Sequence, residues 1–296
     1  IDQYTGNKTV NTLTANQILN QAYSGLLINP ETSELEDDVL DTEDHYFTLV
    51  YDAGYPLDVK FGAENLVDQR RDCMLITDCL DQVNYAATMD YVSDEHIINS
   101  RYFARYDNYS KIYDVHTGRD IWITPVYHMA NLIPSNDILY ELWYAVAGFN
   151  RATVDDIKEI RYNPKLPERD QLYLKQVNPL VKFNVGYTVW GQLTSQKRPS
   201  ALQDLNIMRL VLYIKRALEQ FCRFYVFEFN DQETWDAVKE QITPFLENIK
   251  TKRGLKDYEI DVGATEWEEK NKICHVDVTL EPTRVIEKIE LNLFVK

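Results

Sequence analysis

Asp52 and Asp78 are the two side chains of this sequence best placed to do chemistry. Each follows a β-rich run, "YFTLVY" (Tyr46 to Tyr51) and "DCMLIT" (Asp72 to Thr77). Open α/β sheets keep their sites at the carboxyl ends of the strands. Two such carboxylates could hold a magnesium ion, so an α/β metal-dependent enzyme using Asp52 and Asp78 is one reading of the chain. The plainer reading is that each aspartate caps or begins the helix after it. It is preferred, because so short a match arises easily by chance. Nothing else in the sequence supports catalysis. There is no dinucleotide-binding G-x-G-x-x-G, no phosphate loop, no H-E-x-x-H and no G-x-S-x-G. His45, His96, His116, His128 and His275 are scattered singly and read as packed or surface side chains.

A second constellation is basic. Lys197, Arg198, Arg209, Lys215, Arg216 and Arg223 face only Asp204 and Glu219 between Gln192 and Arg223, in a chain whose formal charge is −16. Arg209, Tyr213, Arg216 and Gln220 recur at i, i+4, i+7 and i+11, which sets them on one stripe of a helix. The bland reading is a solvated face; the sharper one is a docking face for an acidic surface, which a second copy of this acidic protein would supply.

The bulk numbers narrow the field. A pI near 4.8 gives no global field for nucleic acid. Half of the excess charge sits in "ETSELEDDVLDTED" (Glu31 to Asp44), read as a solvated block, because a calcium loop would need its glycine and alternating order. Cys73, Cys79, Cys222 and Cys274 show no metal or redox spacing, and Cys73 and Cys274 lie in strand-like runs that predict buried thiols. No apolar run approaches the roughly 18 residues of a membrane span. The opening "IDQY", in place of Met, points to a trimmed fragment.

These residues need a scaffold, and 296 residues suggest about two domains. A helix opening near Pro56, with Val59, Ala63, Leu66 and Val67 on one face, separates the two strands. A helix over "CLDQVNYAATMDYV" and strands within "RYFARYDNYSKIYDVHTGRDIWITP" follow. The alternation predicts a parallel sheet with helices on both faces. The charged, proline-bearing "VDDIKEIRYNPKLPERDQ" marks a boundary. After it come a strand at Val185 to Trp190, a long helix from about Ser200, and a strand at "FYVFEF". A helix capped by Asn230 or Asp231 then carries Trp235, Val238, Ile242, Phe245 and Ile249, with Pro244 expected to kink or divide it. Strands at "YEIDV", "ICHVDVTL" and "VIEKIELNLFV" close the chain. In the last of these, Ile289, Leu291, Leu293 and Val295 share one face. The expected architecture is α/β plus α+β: a strand-helix layered domain, then a C-terminal antiparallel sheet covered by two helices. The divisions are 1–45 (N-terminal helix and acidic linker), 46–165 and 166–296.

The order of these segments resembles the contractile tail sheath proteins of myophages, with relatives in R-type pyocins and type VI secretion. The resemblance is carried by "LWYAVAGFNRA" (Leu142 to Ala152), "RDQLYLKQVNPLV" (Arg169 to Val181) and "GYTVWGQLT" (Gly186 to Thr194). "LNIMRLVLYIKR" (Leu205 to Arg216), "FEFNDQETW" (Phe227 to Trp235) and the final alternating strand complete it. Trp143, Gly148, Arg151, Trp190, Gly191, Glu228 and Trp235 are the motif positions. Ala145 to Ala147 lack the family proline, Ala152 replaces a glycine, Met208 one of two paired arginines, and Phe229 a proline. These departures resemble a distant, phiKZ-like jumbo-phage branch.

The resemblance implies a structural subunit with no catalysis and no cofactor. It would polymerise as hexameric rings around a tail tube and contract to drive the tube through the host envelope. Its implied partners are neighbouring sheath subunits, the tail tube protein and the baseplate, with no nucleic acid and no membrane insertion. Its place would be the virion, after assembly in the host cytoplasm. Lys197, Arg198, Arg209, Tyr213, Arg216 and the face Ile289, Leu291, Leu293 and Val295 are the expected subunit or tube interface.

Overall fold

Met74–Asp78 is buried at every residue, and the first sheet is built outward from it. In the computed structural model, which describes Leu35 and residues 37–287, this strand is β2. One turn of helix, α1 (Asp37–Leu40), precedes β1 (Leu49–Tyr51) and α2 (Leu57–Arg70). The expected N-terminal helix lies outside the described residues, as do residues 31–34 and 36 of the acidic block, whose residues 37–44 form α1 and the turn after it. After β2 come α3 (Tyr85–Asp90), which runs into a π turn at Tyr91–Glu95, and then β3 (Phe103–Asp107), β4 (Ser110–Asp114) and β5 (Arg119–Ile123). The chain continues through α4 (Pro125–Leu139), β6 (Thr153–Val154), β7 (Ile157–Ile160), α5 (Leu166–Leu174), β8 (Val177–Phe183) and β9 (Gly186–Val189).

The sheet order is β1-β2-β3-β8-β9-β6. The pairs β1–β2, β2–β3 and β3–β8 are parallel, as the strand–helix alternation predicts, whereas β8–β9 and β6–β9 are antiparallel. Strands β5-β4-β7 form a separate antiparallel sheet. Ala63 and Val67 of α2 pack with Leu75 and Phe103, and Tyr91, Leu172 and Val177 form a second cluster with Cys79.

Contacts divide the chain into one unit of residues 1–134 and 147–197 and another of 135–146 and 198–296. The expected boundary at 165/166 falls inside the first of these. The reason is non-local: Arg105, Tyr106 and Asp107 of β3 pair with Val177, Asn178 and Pro179, so β8 and its hairpin partner β9 extend the parallel sheet.

The second unit holds α6 (Leu205–Arg223), α7 (Gln232–Thr251), β10 (Leu255–Gly263), α8 (Glu266–Lys270) and β11 (His275–Pro282). Its core joins Leu210 and Ile214 of α6 with Val238, Ile242, Leu246 and Ile249 of α7, Leu255 and Ile260 of β10, and Trp143. Helix α7 runs unbroken through Pro244, because its buried face outweighs one missing backbone hydrogen bond. Asp231 is the cap, accepting from the Thr234 amide at 3.0 Å. The predicted "FYVFEF" strand is instead a run of turns after α6, with the amides of Tyr225 and Val226 bonded to the carbonyls of Cys222 and Arg223. Its β-forming side chains have no neighbouring strand to pair with among the described residues. Cys73 is buried as expected of a strand thiol, and Cys79, just after β2, is buried too, but Cys274, also expected to be buried, is exposed, since it stands just ahead of β11.

The predicted third C-terminal strand opens at Val285, but Val285 to Glu287 are irregular, and the rest of it, with Ile289, Leu291, Leu293 and Val295, lies outside the described residues.

Candidate functional site

Asp52 and Asp78 do meet at the carboxyl ends of β1 and β2, but a lysine stands between them. Lys60 of α2 is fully buried; its Nζ contacts Asp52 Oδ2 and lies 2.7 Å from Asp78 Oδ1. All four carboxylate oxygens accept hydrogen bonds from the protein. Asp52 Oδ1 takes the Gly54 amide at 3.1 Å, and Oδ2 takes the Thr77 hydroxyl. Asp78 Oδ1 takes the Leu80 amide at 2.8 Å, and Oδ2 takes the hydroxyls of Tyr109 (3.1 Å) and Thr124. Gly54 is obligatory in this corner: its φ is +75°, and a Cβ would stand 2.8 Å from the Tyr109 hydroxyl.

Burial, and then the neighbouring Asp78 charge, push the Asp52 carboxyl above its usual range. Burial alone would lower the Lys60 ammonium, but Asp78 and Asp52 outweigh it and hold it above the ordinary lysine value. The ammonium fills the position a divalent cation would need. Among the described residues no group of three or more His, Cys, Asp or Glu could hold a metal. The arrangement is a structural brace: it locks α2 to two strands and leaves no exposed nucleophile or proton donor.

The basic stripe is only partly a surface. The Arg209 side chain is 9% exposed, its Nη1 3.1 Å from Asp137 Oδ1 and 3.1 Å from the Leu142 carbonyl, while Nη2 contacts Asp137 Oδ2. Arg209 therefore ties α6 to the chain before Trp143 and is not an open docking residue. Tyr213 stands between Trp143 and Phe245, with ring centroids 6.5 and 5.7 Å away. Lys215 is half-exposed beside Glu219 at 3.7 Å, Arg216 is partly buried, and Lys197 and Arg198 are exposed. Replacing Arg209 with Ala is expected to cost the fold about 1.5–3 kcal/mol, the range for hydrogen bonds to charged groups. Lys at that position should recover little, because a point charge cannot span Asp137 and Leu142 together. Thermal unfolding of the two variants checks both statements.

The motif residues are mostly structural. Trp143 is buried, its Nε1–H donating to the Lys252 carbonyl at 3.2 Å. Gly148 holds a turn at φ +76°, its amide bonded to the Val189 carbonyl. Trp190 is 40% exposed and stacks on Phe149 and Phe183, with centroids 5.2 and 4.8 Å away. A Cβ at Gly191 would stand 2.6 Å from Asn178 Oδ1. Trp235 donates to Asn230 Oδ1 at 2.8 Å, and Asn230 in turn donates to the Ile273 carbonyl at 2.9 Å. Arg151 is half-buried, and Glu228 is exposed in the turn after α6.

Two organising residues were missed from the sequence. Asn178 donates to the carbonyls of Arg105 (3.0 Å) and Leu193 (2.8 Å) and accepts from the Leu193 amide (2.7 Å), so it closes the "VWGQL" loop over β8. Lys60 is the other, and it carried a signal: with Ala63 and Val67 it completes an i, i+3, i+7 row on the apolar face of α2.

Residues 197–296 match the family described as phage tail sheath C-terminal domain. The chain is 27% identical over 220 residues to the tail sheath protein of Vibrio phage KVP40 and 24% identical over 245 residues to that of Enterobacteria phage T4. Those alignments cover 73% and 76% of this chain but 30% and 37% of the relatives, so the chain spans about a third of the length of the curated proteins it matches. The fold is similar to the sheath of the extracellular contractile injection system PVC in its contracted state, with TM-score 0.74, 23% identity, and coverage of 84% of this chain and 71% of that one. It is also similar to a chain of the contracted anti-feeding prophage baseplate, with TM-score 0.73, 22% identity, and coverage of 88% and 76%. The sheath resemblance read from the ordered motifs is borne out at the level of the family. These relatives are structural proteins, and with Lys60 between the two aspartates the enzyme alternative is set aside.

Proposed function

We propose that this chain is part of a contractile sheath subunit, a virion component that polymerises as hexameric rings around a tail tube. Its collapse to a shorter form would drive the tube through the host envelope. Its partners would be neighbouring copies, the tube protein and the baseplate.

One observation carries this reading beyond kinship. Among the described residues β10 and β11 pair only with each other, from Leu255↔Pro282 to Gly263↔His275. The helices cover one face of this ribbon, but its outer edges are unpaired among the described residues, and a free edge is a template for another strand. The alternating sequence Ile289 to Val295, which begins seven positions beyond the last described strand, is of the type that adds to such an edge, with backbone bonds supplying the link.

Charge supplies a second contact. The outer face of the ribbon presents Glu259, Asp261 and Asp277 beside Asp257 and Glu281, which already meet Lys250 and Lys256 of the same unit, and Asp261 stands opposite Asp277 with His275 3.9 Å away. Like charges directly opposite are unfavourable unless a cation meets them. Lys197, Arg198, Lys215 and Arg216 are the cations this reading offers to a neighbouring ring or to the tube. Exposed pairs are worth about 0–1 kcal/mol each, weak enough to exchange during contraction.

Negative-stain microscopy of the complete gene product is the test. Hollow tubes with six-fold end views are expected, and a population of monomers alone overturns the sheath reading. Lys215→Glu with Arg216→Glu should lower the yield of tubes several-fold and remove its salt dependence; unchanged tubes would sink the charge contact.

A further inference from the structure

The turn between α6 and α7 is unusual for a soluble surface. Phe224 is 78% exposed, Val226 59%, Phe227 102% and Phe229 82%. The turn is firmly held beneath them: Tyr225 packs on the core and donates its hydroxyl to the Ala237 carbonyl at 3.3 Å, and the Glu228 amide bonds to the Tyr225 carbonyl at 3.1 Å. Phe227 sits at φ +79°, a conformation that an aromatic residue rarely adopts and that here aims its ring into solvent. Three rings of about 150–250 Å² each approach the roughly 800 Å² that one partner contributes to a standard interface.

The same unit carries an apolar cleft of about 270 Å³, lined by Ala201, Ile207, Leu210, Val211, Leu255 and Leu280 among others. That lies below the ~300–1,000 Å³ of small-molecule pockets, and suits one or two side chains. The cleft stands at the amino-terminal end of α6 and the turn at its carboxyl end. From Val211 to Phe224 the helix runs about 20 Å at ~1.5 Å per residue, farther than any side chain reaches, so no copy can fill its own cleft. The turn is acidic, and the cleft is bordered by groups of both signs. Glu228, Asp231 and Glu233 are exposed on the turn. Arg198 and Arg284 lie two residues from cleft-lining positions in the sequence, Asp204 faces both Glu287 and Arg284, and Asp257 and Glu281 are already paired with Lys250 and Lys256.

We propose that the aromatic turn of one copy docks in the α6 cleft of a second copy. Knob and cleft are different surfaces at opposite ends of one helix, so the contact is head-to-tail: each copy that receives a knob still offers its own. Such contacts give open filaments or rings where a self-complementary patch gives a closed dimer. The proposal deepens the sheath reading and rests on it, by naming a contact between subunits besides the strand edge.

Sedimentation of the 296-residue chain over a concentration series is the experiment. The unaltered chain should form species beyond the dimer. Phe227→Ser with Phe229→Ser, and separately Ala201→Glu, should each weaken association roughly 10- to 100-fold, with circular dichroism unchanged. Mixed in equal amounts, the two variants should form dimers and nothing larger, because the mixture holds a single competent knob–cleft junction. A chain that stays monomeric throughout, one that stops at dimers, or variants that associate like the parent overturn the proposal. Tubes formed by a complete gene product carrying the turn variant would overturn it while leaving the sheath reading intact; absence of tubes from the unaltered product overturns that reading instead.

Discussion

Replacing Lys60 with Met is expected to destabilise the first unit by about 3–5 kcal/mol, the usual cost of removing one partner from a buried ion pair. Both carboxylates are fully enclosed, so neither can recruit water when the ammonium goes. At roughly 2–4 °C per kcal/mol for a unit of this size, the melting temperature should fall by about 10 °C. The pH dependence identifies the cause. In the unaltered chain Lys60 is held above its ordinary value, so its contribution is complete below the normal lysine range and fades only as pH rises through the raised value. In the variant the Asp52 carboxyl, already raised by burial and by the Asp78 charge, loses the cation that opposed both, so its folded-state pKa must rise further above the unfolded ~3.9. Stability contributed by groups with raised values is present at low pH and lost as pH climbs through them. The gap between variant and parent should therefore narrow on acidification from pH 8 to 5. Asp52→Asn in the same background should recover part of the loss, since a carboxamide needs no cation. A gap that is constant across that range, or no recovery, would mean that packing and not charge is what Lys60 supplies.

That brace shows what a single sequence reveals. The strands, their parallel pairing and the helix between them followed from local patterns, and the two aspartates were correctly placed at the carboxyl ends. Lys60 was visible only as a charge on an apolar helix face. Its meaning depends on β2 delivering Asp78 18 residues later in the chain, which no local pattern encodes. Arg209 is the same case at longer range: helical spacing put it on an exposed stripe, but Asp137, 72 residues away, removes it from the surface. The "FYVFEF" stretch failed for the opposite reason. Its β-forming residues are real, but strand propensity reflects packing against neighbours, and apart from Tyr225, which packs on the core, the fold leaves these side chains exposed. Propensity without a partner was the sign of a surface, and it was read as a strand.

Kinship and geometry also separate along the chain. The residues that carry the family resemblance, Trp143, Gly148, Gly191 and Trp235, are those that close turns and fill gaps. The aromatic turn proposed to assemble mixes the two: Glu228 keeps a motif position, and the residue after it departs from the pattern. Phe229 stands where the family has proline, and it is one of the exposed aromatics.

Truncating Trp143 to Ala should have the largest effect on the second unit, about 3–5 kcal/mol. The indole belongs to the core cluster formed by α6, α7 and β10, and the Trp143 carbonyl accepts from Asn206 of α6 at 2.9 Å. Its ring also sets a constraint on Gly254. Arg253 takes the left-handed position at the end of α7, at φ +69°. Gly254 is needed for space instead: a Cβ there would stand 2.6 Å from Ile249 Cγ2 and 3.1 Å from Trp143 Cε2. Gly254→Ala alone should cost about 1–3 kcal/mol through overpacking. Because the two positions touch, their costs should not add: with the indole removed, half of the clash is gone, and Gly254→Ala should cost measurably less in the Trp143→Ala background than alone. Hydrogen exchange gives the readout by region. Protection should fall in α6, α7 and β10 and hold in β1, β2 and β3. Additive costs would mean that Ile249 alone excludes a side chain at 254, and loss of protection in both units together would mean that they unfold as one.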